Sequence, residues 1–313
     1  LVFSSSKATI GEGGILPALP LDFGRGVPIL MIQLKSMVAP HGRGAVWGRN
    51  AMAGFKQGDL IANRYEVLKD LGRCGMGAVY KVLDRETTVT CALKTLLPQY
   101  SENRRAAQRF IQEINAIRQL DHPGIVHIYS AQRLDGLLYY TMEYINGTSL
   151  RSWMKKKGRF GIGSTYQILS LLCDALEHAH RYTVHRDVSP ENIMITPDGN
   201  VKLLDFGLVK ITSANNSFTR VGVSLGKIQY SAPEQRADAK NVDHRADLYS
   251  LGVMFYEMLG NQLPINGKPL RQLAPDLPVE CDAFIEKAMA LSRKRWLTIR
   301  KIGSRRLTSF ARN

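Results

Sequence analysis

The sequence predicts an α+β chain in two lobes, a small β-rich lobe followed by a larger α-rich one. Three observations carry this expectation. Short apolar runs separated by turns fill the stretch 65–144, which is the texture of strands. Within it, 103–120 repeats Phe110, Ile114 and Ile117 at helical spacing and so marks one buried helix face, with Glu113 at its edge. Beyond Asn146 the helical period takes over, notably over 164–181 and 247–259.

Each element then follows in order. Residues 1–58 are rich in Gly, Pro and Ala and hold no sustained period, which predicts a disordered N-terminal extension. Met52, just ahead of the first regular pattern, leaves open a translation start there or a genuine flexible extension. Five strands are expected at 65–71, 78–84, 88–96, 126–132 and 137–144, with the 103–120 helix between the third and fourth. In the helical half, short strands are expected around 193–195 and 201–204. The N-lobe then covers about 65–145, the C-lobe 146–300, and a basic tail 301–313.

Composition excludes several function classes. A chain of 313 residues that is 44% hydrophobic buries a sizeable core. Its most membrane-like run, from Val27 to Leu34, ends at Lys35, well short of the ~20 residues a bilayer needs, so no membrane span is expected. Cys74, Cys91, Cys173 and Cys281 lie far apart and form neither a disulfide framework nor a zinc pattern, which points to a reducing, cytoplasmic setting. The net charge of +15 sits mostly at the ends. Residues 293–313 carry eight basic groups and no acid, 1–58 carry six against two, and the body between holds 28 against 25. Solvated basic tails account for this, and no dedicated nucleic-acid site is expected.

Chemistry concentrates in a few ordered motifs. Leu71-Gly-Arg-Cys-Gly-Met-Gly-Ala-Val79 joins two expected strands, and glycines there would let backbone N–H groups close over phosphate oxygens. On its own the loop reads first as a plain turn. Lys94 closes an apolar strand, where its charge is costly unless paired, and Glu113 is the obvious partner. The decisive group is His185-Arg186-Asp187, then Asn192, then Asp205-Phe206-Gly207 after a short hairpin.

With Ala232-Pro-Glu234 and Asp247-Leu-Tyr-Ser-Leu-Gly252 following, the ordered set resembles the eukaryotic-type protein kinases over about 65–295. Phrases such as Ser231-Ala-Pro-Glu-Gln235 are most similar to the bacterial Ser/Thr kinase branch. The resemblance implies a two-lobed protein kinase fold over 59–300. It implies a protein Ser/Thr kinase that uses ATP and Mg2+, or Mn2+ in its place, and acts on Ser/Thr hydroxyls of proteins.

By that resemblance Lys94 holds the α- and β-phosphates and is fixed by Glu113. Asn192 and Asp205 ligate the metal, and Asp187 orients the substrate hydroxyl and accepts its proton. Gly72, Gly75 and Gly77 cover the phosphates. Leu71, Val79 and Ala92 pack on the adenine, Met142 is the gatekeeper, and the backbones of Glu143 and Ile145 bond the base. Arg186 is the residue expected to receive an activation-loop phosphate, first at Thr219, with Ser217 and Ser224 as alternatives; a transient homodimer would serve autophosphorylation.

The sequence also departs from the pattern. Cys74 stands where the loop has its second glycine. Ser189 stands where Ser/Thr kinases place a lysine, while Lys227 follows Gly226 where the family has threonine. The two residue types look exchanged, so that Lys227 restores the missing charge while Ser189 supplies the hydroxyl; two independent changes, with Lys227 in solvent, are the alternative. Between Leu259 and Arg295 the chain is shorter than is usual in the family, and Arg295 is expected to pair with Glu234. These departures keep a nucleotide-binding pseudokinase scaffold as the second reading of the whole chain.

Overall fold

In a computed structural model, residues 54–74, 77–96, 104–134, 136–206, 227–237, 242–264 and 267–290 are described. The first half forms one antiparallel sheet with strand order β1-β2-β3-β4-β6-β5. The strands are β1 (Leu60–Ile61), β2 (Tyr65–Cys74), β3 (Gly77–Asp84), β4 (Thr90–Leu96), β5 (Ile128–Leu134) and β6 (Leu137–Glu143). Helix α1 (Arg104–Ile117) crosses one face.

Alternation along β4 and β6 sorts their side chains between two cores. Ala92 and Leu96 from β4, with Leu138, Tyr140 and Met142 from β6, meet Ala107, Phe110, Ile114 and Ile117 of α1. Cys91, Leu93 and Tyr139 join Tyr65, Val67, Tyr80 and Val82 in the core on the opposite face. Lys94 shares the Ala92 parity, and the register sets it directly across from Tyr140. This parity is why a lysine and a tyrosine end up side by side in an apolar interior.

Gly77 opens β3 under close approach, since a Cβ there would lie 1.7 Å from the Thr95 carbonyl oxygen of β4. Only glycine fits that footing of the hairpin.

The second half is mostly helical. After β7 (Thr148–Ser149) come α2 (Leu150–Lys157) and α3 (Ile162–Ala179), then β8 (Ile193–Ile195) and β9 (Val201–Leu203). A 3-10 turn (Lys227–Tyr230) leads to α4 (Pro233–Ala237), α5 (Arg245–Gly260) and α6 (Glu280–Ala290). Helix α5 is the axis of this lobe: from Ala246 to Gly260 only Tyr249 escapes full burial. Leu251, Met254, Phe255 and Met258 pack in one core with Leu172 and Leu176 of α3 and Ile285 of α6.

Element ends shift by up to three residues from the sequence reading, and three differences have a clear cause. The expected disordered stretch does not reach 54–58, because Phe55 is buried against Tyr80, with ring centroids 5.6 Å apart, and its N–H donates to the Tyr80 hydroxyl. The strand expected from 88 starts at Thr90, because Thr88 sits at φ +59° in a turn whose N–H bonds the Asp84 carbonyl. The strand expected from 126 starts at Ile128. Ile125 bridges Leu203 in parallel and the Val126 N–H donates to the Leu203 carbonyl, so these residues join β9 of the other lobe.

Candidate active site

The seam between the lobes gathers Lys94, Tyr140, Asp187, Asn192, Asp205 and Lys227. Lys94, on β4, is 3% exposed, and its Nζ lies 2.7 Å from Asp205 Oδ2. Tyr140, on β6, donates its hydroxyl to Asp205 Oδ1 at 2.8 Å. Burial works to raise the Asp205 pKa, but the Lys94 ammonium, its hydrogen bond and that of Tyr140 outweigh it, with help from Lys227, and hold the carboxyl below its usual value. The Tyr140 phenol is pushed the other way, first by burial and then by the Asp205 charge, so it stays a donor. Asp205 itself adopts φ +40°, a conformation that non-glycine residues hold only where their surroundings impose it.

The catalytic-loop candidates are set from below by one carboxylate. Asp247, near the start of α5, is fully buried and accepts the backbone N–H of His185 at 2.9 Å and that of Arg186 at 2.7 Å. The same carboxylate meets His180 Nε2 at 2.8 Å. Two charge-assisted bonds of this kind explain how Arg186 is kept at φ +64°. His185 reaches up to the Leu204 carbonyl through Nε2 at 2.8 Å, and its ring lies tilted against Phe206 with centroids 4.5 Å apart. Burial lowers its pKa, so a neutral ring that donates from Nε2 fits this bond.

Asp187 then faces the seam. Asn192 Nδ2 donates to its main-chain oxygen at 2.7 Å and to Oδ2 at 2.8 Å, which fixes the carboxylate. Lys227 Nζ lies 3.3 Å from Asp187 Oδ2 and 3.0 Å from Asn192 Oδ1. Ser189 is buried beside this loop, 1% exposed, with no hydrogen-bond partner for its hydroxyl among the described residues.

Four of the residues expected to meet the adenine share one apolar cluster. Ala92 and Met142 are buried opposite one another on β4 and β6, with Val79 and Ile145 half-buried in the same cluster. Leu71 is exposed on β2, and Gly72 beside it takes φ +129°. The Glu143 N–H is spent on the His127 carbonyl at 2.8 Å, so this residue can serve a base only through its carbonyl. Its carboxylate accepts Lys202 Nζ at 2.8 Å.

Several expectations lie outside the described residues: Gly75, the side chains of Cys74 and Glu113, the loop residues Ser217, Thr219, Ser224 and Gly226, and the Arg295 partner of Glu234. The backbone of Glu113 is within α1.

Two carboxylates and an amide, brought together from two loops, are hard oxygen donors of the type magnesium takes alongside phosphates and waters. With the Lys94 ammonium turned onto the same carboxylate, the residues present fit a nucleotide polyphosphate and a divalent cation. Such an arrangement can neutralise phosphate charge, align a hydroxyl and accept its proton.

Three features escaped the sequence reading. Tyr140 reads as strand core until the register sets it opposite Lys94. Asp247 reads as a helix start, and its hold on His185 and Arg186 is purely spatial. Arg151 of α2 joins Glu191 at 2.7 Å, Glu257 at 2.7 Å and the Tyr230 hydroxyl at 2.5 Å, tying together four segments for which no single motif exists.

Residues 65–306 match the family described as protein kinase domain. A probable serine/threonine-protein kinase of Clostridium perfringens is 36% identical over 211 residues, which make up 67% of this chain and 30% of that protein. The serine/threonine-protein kinase PrkC of Bacillus subtilis is 33% identical over 222 residues, 69% of this chain and 33% of that protein. PknA of Mycobacterium tuberculosis is 35% identical over 247 residues, 73% of this chain and 57% of that protein. The chain thus spans about a third of the length of the first two. The crystal structure of the Mycobacterium tuberculosis PknI kinase domain superposes with a TM-score of 0.65 at 28% identity, covering 80% of this chain and 98% of that one.

Proposed function

We propose, because the chain belongs to the protein kinase family and to its bacterial Ser/Thr branch, that it transfers the γ-phosphoryl group of ATP to serine and threonine hydroxyls of proteins. One observation carries the reading: Lys94 and Asp205, 111 residues apart in sequence, pair at 2.7 Å beside a fixed Asp187–Asn192 unit. The pseudokinase alternative is not favoured, since Lys94, Asp187, Asn192 and Asp205 are all retained.

In this reading Lys94 binds the α- and β-phosphates. Asp205 and Asn192 hold magnesium, or manganese in its place, and the metal supplies charge neutralisation at the phosphates. Asp187 aligns the acceptor hydroxyl and takes its proton. Glu113 steadies Lys94 from α1. Leu71, Val79, Ala92 and Met142 enclose the adenine, which bonds the Glu143 carbonyl and the Ile145 backbone, while Gly72, Gly75 and Gly77 bring the hairpin over the phosphates.

Arg186 receives a phosphate placed on Thr219, Ser217 or Ser224 by a second copy in a transient dimer. A cytoplasmic site of action belongs to the same proposal, supported by the ATP requirement and by Cys91 and Cys281 as buried thiols.

The test is transfer of radiolabel from ATP to generic protein substrates with magnesium present, beside an Asp187→Asn control. Label in the parent and none in the control is the expected result. Equal signals in the two would overturn the reading.

A further inference from the structure

Resting on the kinase reading, we propose that Lys227 is a catalytic residue: its ammonium, delivered from the activation segment, neutralises the phosphoryl group in flight in place of the lysine that the catalytic loop lacks at 189.

The geometry points there through two contacts. Lys227 Nζ reaches both the proton-accepting candidate Asp187, at 3.3 Å, and the metal-ligand candidate Asn192, at 3.0 Å. Its side chain is about a quarter exposed, so it is not sealed from solvent. Position 189 cannot serve, because its buried serine brings no charge and its hydroxyl meets no partner among the described residues.

The ammonium is held where it is by the other end of its own short turn. Tyr230, three residues on, donates its hydroxyl to Glu257, accepts from Arg151 Nη2 at 2.5 Å, and takes the Ser250 hydroxyl on its carbonyl at 2.8 Å. Glu257 and Ser250 both belong to the buried helix α5. The lysine is in place only when this turn is seated.

In the step itself, the acceptor oxygen forms a bond to the γ-phosphorus as the bond from that phosphorus to the β,γ-bridging oxygen breaks. The hydroxyl proton passes to Asp187 and ADP leaves with the bond pair. Lys227 stabilises the negative charge on the transferring oxygens and exchanges no proton. A preorganised charge aimed at the transition state acts on kcat more than on ground-state binding.

Four proteins decide the matter: the parent, Lys227→Thr, Lys227→Arg, and the exchanged pair Ser189→Lys with Lys227→Thr. Each is assayed for kcat, for KM of ATP, for displacement of a fluorescent nucleotide and for melting temperature. Lys227→Thr should lose about 100-fold in kcat, with nucleotide affinity and melting temperature near those of the parent. The exchanged pair should recover at least tenfold over Lys227→Thr, and Lys227→Arg should stay at least tenfold above it.

A Lys227→Thr enzyme with parental kcat overturns the proposal, as does an exchanged pair that melts like the parent yet is no more active than Lys227→Thr. Should the exchanged pair fail to fold, Lys227→Arg decides, and equality with Lys227→Thr is the overturning result. If the parent itself transfers no more phosphate than Asp187→Asn, the kinase reading falls and takes this proposal with it. Transfer by the parent together with an indifferent Lys227 removes this proposal alone.

Discussion

Two lysines reach the same acidic cluster by different routes. Lys94 stands in the middle of a six-stranded sheet, 3% exposed, with its backbone paired to a strand on either side. Lys227 opens a four-residue 3-10 turn and is 26% exposed. The first position cannot be vacated without breaking the sheet. The second depends on side-chain bonds from Tyr230 to α2 and α5. The sheet-borne charge is held by backbone bonds on both sides, whereas the turn-borne charge is held through the side-chain bonds of its own short turn.

The largest break in this comparison is Lys94→Met. We expect a loss of kcat of about 1,000-fold or more, since the charge it removes is buried and, in the proposed role, neutralises phosphate, with the fold retained on melting. Steady-state transfer assays check it, and activity within tenfold of the parent would contradict the role given to the sheet-borne lysine.

Next comes Asp247→Ala, which attacks the support of the catalytic loop and leaves both lysines intact. It would strip the His185 and Arg186 N–H groups of their buried acceptor, at about 1–3 kcal/mol for each group left unpaired. Denaturant unfolding should show a loss of several kcal/mol together with falling activity. A parental midpoint would mean that Arg186 keeps its left-handed conformation for another reason.

Tyr140→Phe sharpens the comparison on the sheet side. It removes one of the bonds that keep Asp205 ionised and oriented, so the magnesium needed for half-maximal nucleotide binding should rise severalfold, about one lost hydrogen bond to a charged group. Titration of metal against fluorescent-nucleotide binding reads this without any turnover. An unchanged metal requirement would reduce Tyr140 to packing.

The smallest effect on activity is expected from Arg64→Met, far out on the sheet. Arg64 bonds Asp84 at 2.8 Å and 2.6 Å and holds its pKa at about 2. A carboxyl depressed in the folded state contributes stability that is fully present above its unfolded value, near 3.8, and is lost as pH falls through about 2. The variant should therefore begin acid unfolding at a higher pH while kcat at neutral pH stays within about twofold of the parent. A changed kcat would show that the sheet transmits strain from its edge to Lys94.

Much of the site was legible because its chemistry restricts residue types. Lys94, Asp187 with Asn192 five residues on, and Asp205 after a hairpin were singled out through their resemblance to the ordered protein kinase motifs, and the structure brings them to one seam. The apolar periods likewise marked α1 and most strands, since one-sided burial imposes them. What stayed hidden depends on partners distant in sequence. A tyrosine in β6 looks like any core aromatic until register opposes it to Lys94. Ile125 and Val126 fit the pattern of a strand whichever sheet receives them, and only space decides for β9. Phe55 stands alone among Gly, Ala and polar residues, too little to make a period. Arg151 reads as a surface cation on a polar helix, and its three acceptors come from three separate segments.

That attachment of 125–126 to Leu203 has a consequence for how the molecule comes apart. The chain leaves α1, lends its backbone to the edge of the opposite lobe through the Gly124 carbonyl and the Val126 N–H, and only then enters β5. Neither lobe therefore owns a complete set of backbone bonds, and a cut near 145 would leave Leu203 with an N–H and a carbonyl unsatisfied. Two lobes joined in this way should unfold as one unit. Calorimetry should show one transition, with calorimetric and van't Hoff enthalpies in agreement, and hydrogen exchange at the Val126 and Leu203 amides should report the same opening event from opposite sides of the cleft.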